Sequence, residues 1–269
     1  MEIKSIALSS YYPNARLTAY LPYSKDKTAD ALLICPGGAY FNVCDGHEGE
    51  NIALAFAARG FRTFVLHYSV KEEARFPTPL VEASLAMAHI KRNAAEYGVD
   101  PERVFVMGFS AGGHLAGALG TLWHKDYARE NTDVAFGENR PAGMVLCYPV
   151  LAYFPESNMG TFLRVFGTDT PTEAQVNEFS LEKQVDAEHT VPAFLWHTMD
   201  DKAVHVENTL RMLTALRKCG VTAEAHLFPH GPHGIATADK TIAGEDESLI
   251  DAHVATWVDM AASFLKTLA

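Results

Sequence analysis

Short, nearly uniform apolar runs alternate along this chain with longer segments whose apolar positions recur every three or four residues. The first kind predicts strands buried on both faces, and the second predicts helices packed against them. Residues 3–8 and 16–21 open the chain as two strands. In the second, Leu17, Ala19 and Leu21 alternate with Arg16, Thr18 and Tyr20, the period of a half-exposed antiparallel pair. Pro22 to Asp30 is polar and reads as a loop. Ala31–Cys35 is the next strand, residues 48–59 a helix with Gly60 as its C-cap, Arg62–Tyr68 a strand and Leu80–Tyr97 a long helix. Asp100-Pro101-Glu102-Arg103 turns the chain into a strand over Val104–Met107, and Gly113–Trp123 reads as a helix. A polar, irregular excursion over 124–141 leads to a strand at Gly143–Tyr148. Residues 150–190 have no clear sheet period and read as an insertion over the top of the sheet, a small helical cap. Ala193–Trp196 is a strand, Val206–Lys218 a helix closed by Gly220, Thr222–Phe228 the last strand and Glu247–Leu268 a terminal helix.

Two starting strands followed by strand and helix in alternation predict an α/β fold. The expected architecture is a mostly parallel twisted sheet with helices on both faces and an antiparallel edge, residues 1–269 forming one domain. In such a sheet the loops at the carboxyl ends of the strands carry the site. Pro36–Tyr40, Ser110, His197–Asp201 and Pro229–Gly234 all fall at such ends.

Gly108-Phe109-Ser110-Ala111-Gly112 matches G-x-S-x-G between a strand and a helix, the context in which that motif has mechanical meaning. The turn is so sharp that its flanking residues must be small, and the glycines let strand and helix approach. Ser110 is then held in a strained conformation with its hydroxyl above the sheet. A serine hydroxyl needs a base within hydrogen-bond reach and a group that orients the base. His233, in the loop His230-Gly-Pro-His-Gly234, is the candidate base, with His230 as its competitor. Asp201 is the candidate orienting carboxylate, with Asp200 as the alternative, and helix capping is the lesser reading of the adjacent carboxylates. Backbone N–H groups of Gly38 first, then Ala39, together with Ala111, are candidate donors to a developing oxyanion.

The 269 residues are 48% hydrophobic and 20% charged, enough for one large core. The formal net charge of −11 and a sequence pI near 5.5 argue against nucleic acid or an anionic membrane surface as partner, and fit a neutral or cationic substrate. No run approaches 18 apolar residues, and Met1-Glu-Ile-Lys-Ser-Ile6 has no signal-like apolar region, so the expected location is the cytoplasm. Cys35, Cys44, Cys147 and Cys219 form no C-x-x-C pair and read as free thiols. Twelve histidines place no H-x-x-x-H or H-x-x-E-H on a helical stretch, so no metal and no cofactor is expected. His47 beside Glu48 reads as a helix-start or substrate-edge feature, while His67, His89, His114 and His226 read as packing residues. A homo-oligomer is left open.

Taken together, Pro36-Gly-Gly-Ala-Tyr40, Val106–Ala116, Tyr148-Pro-Val150, Phe194–Asp201, Val206-Glu-Asn208 and His230–Gly234 resemble the α/β-hydrolase superfamily, and within it the acetyl-esterase or acetylxylan-esterase-like branch of carbohydrate esterases. The order Ser110, Asp201, His233 is the one that superfamily uses. The resemblance implies Ser110 as nucleophile, Asp201 as orienting acid, His233 as base and the backbone of Gly38 and Ala111 as oxyanion hole. It implies a serine carboxylesterase acting on short acyl esters, acetyl above all, of a small molecule or an oligosaccharide such as xylan fragments. Tyr40, Phe41 and Tyr153 are then candidates for stacking on a sugar, with core or cap packing the other reading of each. Where relatives often carry Val-Pro after the acid loop, this chain reads Val204-His205. Related chains also cleave peptides or formamides on the same triad, and a non-catalytic binding protein could keep the fold.

Overall fold

The computed structural model describes residues 1–24 and 28–268. Eight strands form one sheet: β1 (Glu2–Ala7), β2 (Arg16–Leu21), β3 (Ala29–Cys35), β4 (Arg62–His67), β5 (Val99–Phe109), β6 (Met144–Cys147), β7 (Ala193–Thr198) and β8 (Ala223–Phe228). Their spatial order is β1-β2-β4-β3-β5-β6-β7-β8. The pairs β1–β2 and β2–β4 are antiparallel, and all pairs from β4 to β8 are parallel. This is the expected mostly parallel sheet with an antiparallel edge. Its central strands are apolar throughout because both faces are covered.

The helices are α1 (Asn51–Ala57), α2 (Thr78–Arg92), α3 (Ala94–Tyr97), α4 (Ser110–Leu122), α5 (Met159–Phe166), α6 (Glu173–Phe179), α7 (Glu207–Cys219), α8 (Lys240–Ala243) and α9 (Trp257–Thr267). The β5 side chains divide between two cores. Val104 and Val106 pack with α2, α4 and α7 on one face. Phe105, Met107 and Phe109 pack with α1 and α9 on the other, where Trp196 and Trp257 stack at 5.0 Å.

Several element bounds differ from the sequence expectation, each for a local reason. Of the loop expected over Pro22–Asp30, residues 25–27 lie outside the described residues, while Ala29 and Asp30 already belong to β3. The turn expected at Asp100–Arg103 is absorbed into β5 as a bulge, since β3 partners jump from Ala29↔Val99 to Ala31↔Val104. The helix expected over Leu80–Tyr97 is cut at Asn93, whose side-chain amide donates to the His89 carbonyl and closes α2. The terminal helix begins at Trp257 rather than Glu247. Asp246 and Asp251 accept bonds from the N–H groups of Ser248, His253 and Val254, holding tight turns where a continuous helix was expected. The insertion over 150–190 is helical, carrying α5, α6 and a 3₁₀ turn at Leu181–Lys183.

Candidate active site

β5 ends at Phe109 and α4 begins at Ser110, so one residue makes the corner. Ser110 has φ +52°, the left-handed region that side chains avoid. The corner fits only because its neighbours lack side chains. A Cβ on Gly108 would stand 2.0 Å from the Gly112 carbonyl oxygen, and one on Gly112 would stand 2.1 Å from that of Cys35. The G-x-S-x-G signal therefore encodes steric necessity at both glycines.

The other two candidates come from loops beyond β7 and β8. His233 Nε2 lies 2.9 Å from Ser110 Oγ, and His233 Nδ1 lies 2.7 Å from Asp201 Oδ2. The Asp201 side chain is fully buried and that of His233 is 23% exposed. Oδ1 of Asp201 accepts from the N–H groups of Ala203 and Val204, and His197 Nε2 stands 3.4 Å from Oδ2. Burial alone would raise this carboxyl. The bonds from His197, His233 and Val204 outweigh it and hold Asp201 well below the usual carboxylate range. Asp200 turns the other way, to His230 Nδ1 at 3.0 Å, and that pair is 50% and 81% exposed. The structure thus separates two adjacent Asp–His pairs, one buried against Ser110 and one in solvent.

The Pro36–Tyr40 loop is fastened at several points. Tyr68 donates its hydroxyl proton to the Pro36 carbonyl at 2.5 Å, and the Gly37 N–H donates to Glu48 Oε2 at 2.7 Å. Gly38, Ala39 and Tyr40 have φ of +123°, +54° and +54°. Among the described residues no acceptor takes the Gly38 or Ala39 N–H. Ala111 sits in the first turn of α4, where N–H groups have no partner within the helix. These are the three donors that the sequence nominated.

Tyr40 is a correction. Its side chain is fully buried, with its hydroxyl 3.1 Å from His114 Nδ1 and its ring edge-on to Tyr68 and Phe76, so it cannot stack on a sugar. The two positive-φ residues turn it inward. Phe41 points outward, 53% exposed. Tyr153 is half-buried, its ring packed against Phe162 and Phe166 of α5 beneath the insertion.

Glu48 is the residue that sequence reasoning undervalued. It lies in a π-helical turn at Asp45–Glu50, only 3% exposed. One oxygen accepts from Gly37, and the other accepts from the Tyr148 hydroxyl at 2.7 Å. The Tyr148 hydroxyl also accepts from the Ala236 N–H at 3.3 Å, and its ring stands edge-on to His233 at 5.1 Å. Next to it, His47 Nε2 meets the Gly234 carbonyl. One turn therefore ties the glycine loop to the histidine loop. The signal in sequence was a buried acid without a nearby basic partner, which a single sequence does not display.

Among the described residues one group has metal-ligating atoms close together, His124, Asp186 and His189, within 4.8 Å of one another. It lies beyond the C-terminal end of α4 and before the start of β7, toward the amino ends of the parallel strands, whereas Ser110 is at the carboxyl end of β5. The two imidazoles are stacked at 3.8 Å, so their nitrogen lone pairs run in nearly parallel planes rather than converging. No described helix is long and apolar enough to cross a membrane.

The family model described as BD-FAE matches residues 17–216. Endo-1,4-beta-xylanase B of Butyrivibrio fibrisolvens is 36% identical over 232 residues, covering 85% of this chain and 35% of that protein. The acetylxylan esterase of Xylanibacter ruminicola is 26% identical over 223 residues, covering 82% and 43%. The chain therefore spans well under half the length of these two curated relatives. Among solved structures, the acetyl ester-xyloside bifunctional hydrolase from Caldicellulosiruptor lactoaceticus superposes with a TM-score of 0.83 at 33% identity, covering 94% of this chain and 88% of that one.

Proposed function

This chain belongs to the BD-FAE family, an α/β-hydrolase family, and we propose that it is a serine carboxylesterase removing short acyl groups, acetyl above all, from carbohydrate esters. The observation that carries this reading is the unbroken relay from Asp201 through His233 to Ser110, with spacings of 2.7 and 2.9 Å. In the proposed mechanism Ser110 Oγ attacks the ester carbonyl carbon while His233 Nε2 takes its proton. The electron pair moves onto the carbonyl oxygen, beside the N–H groups of Gly38, Ala39 and Ala111. Collapse breaks the bond to the alcohol, which leaves with the proton from His233. Water, deprotonated by the same imidazole, then splits the acyl-enzyme and releases the acid. Asp201 keeps its negative charge throughout, fixing the tautomer and stabilising the imidazolium. The relatives named for acetylxylan and acetyl ester-xyloside hydrolysis support acetylated xylo-oligosaccharide as the carbohydrate.

The test is acetate release from acetylated xylo-oligosaccharides beside p-nitrophenyl acetate, with Ser110→Ala as control. Release from both substrates, lost in the variant, is expected. Hydrolysis of the synthetic ester alone would remove xylan from the reading. Full activity in the Ser110→Ala protein would overturn the mechanism.

A further inference from the structure

A cavity of 410 Å³ opens between the glycine loop and the insertion, lined by Phe41, Lys71, Arg75, Leu163 and Arg164 with Gly167 at the end of α5. Its charge runs against that of the chain as a whole. Three cations face it with a single carboxylate, Glu72, on the same rim, in a chain with 33 acidic and 22 basic residues. Elsewhere arginines take carboxylate partners, as in Arg59–Asp259, Arg92–Glu138 and Arg103–Asp30. Among the described residues no carboxylate lies within 4.0 Å of the Lys71, Arg75 or Arg164 charge.

The cations are also aimed. Lys71 Nζ stands 5.6 Å and the Arg164 guanidinium 5.0 Å from the centre of the Phe41 ring. The aromatic face attracts each of them, but two like charges over one ring repel each other. Arg164 is held there by a 2.7 Å bond to the Gly160 carbonyl. Arg75 lies against Gly167, at the C-terminus of α5, where a cation complements the helix dipole. Arg164 lies in that last turn too, yet among the described residues neither it nor Lys71 has a carboxylate partner.

The position fits the chemistry of the neighbouring site. The Phe41 N–H donates to the Gly38 carbonyl at 2.8 Å, and the Lys71 N–H donates to the Tyr40 carbonyl at 2.6 Å. The cavity rim and the candidate oxyanion donors are therefore parts of one fastened turn. Phe41 offers a flat apolar surface to a sugar ring, and the cations offer charge-assisted bonds to an anionic group on it.

We propose that this cavity is a subsite for an anionic sugar, carrying a carboxylate or a phosphate, in the alcohol portion of the ester. The proposal rests on the ester-hydrolase reading above and narrows its substrate class.

The test measures kcat and KM for p-nitrophenyl acetate, a neutral acetylated xylo-oligosaccharide, the same oligosaccharide bearing a glucuronic acid branch, and an acetylated hexose phosphate. The expected result is a KM at least tenfold lower for an anionic substrate than for the neutral one, with the gap shrinking between 20 and 200 mM NaCl. Which anionic substrate wins identifies the source of the charge. The double variant Lys71→Glu, Arg164→Glu, made at an exposed and a half-buried position, is expected to abolish or invert the preference. Equal KM values for the neutral and both anionic substrates would overturn the subsite, as would a preference that survives charge reversal. Calorimetric binding of the unacetylated glucuronic acid oligosaccharide and of hexose phosphate reads the subsite without hydrolysis. Absence of p-nitrophenyl acetate hydrolysis would count against the esterase reading, and absence of binding would count against the subsite.

Discussion

Asp201 Oδ2 lies 2.7 Å from His233 Nδ1, and its carboxylate is wholly removed from water. The neighbouring Asp200 serves an exposed histidine instead. Replacing Asp201 by Asn leaves the shape but offers an amide where an acceptor is needed, so the imidazole loses its preferred tautomer. The Asp201→Asn variant should lose on the order of 10³–10⁴-fold in kcat for p-nitrophenyl acetate. Asp200→Asn should stay within a few-fold of wild type. Equal losses in the two variants would show that the buried pair is not the working one.

Acidity should loosen the fold through His114. Its Nδ1 accepts from Tyr40 and its Nε2 donates to the Phe179 carbonyl at 3.0 Å, which satisfies a neutral ring and leaves no room for a second proton. Burial lowers it from 6.5 to about 4, against an opposing pull from that carbonyl. Between these values the unfolded chain binds a proton that the folded one refuses. Stability therefore falls as pH drops from about 6.5 to about 4 and levels off below, a change of about 3 kcal/mol. Glu82 works the other way. Burial pushes it up to about 7 despite its bonds from Ser69, so over about pH 4.5–7 it costs stability as pH rises. Urea unfolding of wild type and His114→Gln across pH 4–7 separates the two. The wild type should lose about 3 kcal/mol relative to the variant on acidification, and parallel curves would refute the assignment.

Glu48 receives two hydrogen bonds, one from the glycine loop and one from the tyrosine that flanks His233, and among the described residues no cation pairs with it. Glu48→Gln must turn an amide N–H₂ toward either the Gly37 N–H or the Tyr148 hydroxyl. We expect kcat/KM for p-nitrophenyl acetate to fall about 10- to 100-fold through loss of alignment, with fluorophosphonate labelling of Ser110 slowed in parallel. Tyr148→Phe should show a smaller loss. A variant that melts earlier but keeps wild-type rates would limit Glu48 to holding the fold.

The corner at Ser110 predicts a contrast between glycines. Gly112→Ala forces a Cβ to 2.1 Å from a backbone oxygen and should cost several kcal/mol, about 3 or more, or prevent folding. Gly137, at φ +88° with open space around it, should accept Ala for about 1–2 kcal/mol. Thermal melts followed by circular dichroism decide between them. Similar melting shifts for the two variants would mean the corner has more slack than its geometry allows.

The parts of the site that sequence made legible were those encoded locally. Gly108, Ser110 and Gly112 must sit two residues apart because one backbone corner demands it, and His233 is marked by the glycines and proline around it. Asp201 and Asp200 could not be told apart with certainty, because the choice depends on which side of a turn each side chain leaves. Tyr40 was misplaced for a similar reason: two consecutive positive φ values send its ring into the core, and sequence shows the aromatic but not the direction. Glu48 and the Lys71–Arg164 pair are long-range facts. Each depends on segments 90 or more positions apart along the chain being brought together by the sheet.

His233 follows β8, the strand at the sheet's outer margin and, of the eight strands, the last in chain order. A nascent chain that has emerged through α4 already holds its serine but has neither imidazole nor carboxylate to work with. On the proposed mechanism, ester cleavage would begin only when β8 zips onto β7, and a nascent fragment ending before β8 would be chemically silent. Recovered activity after dilution from denaturant would then date the closing step of folding rather than its onset.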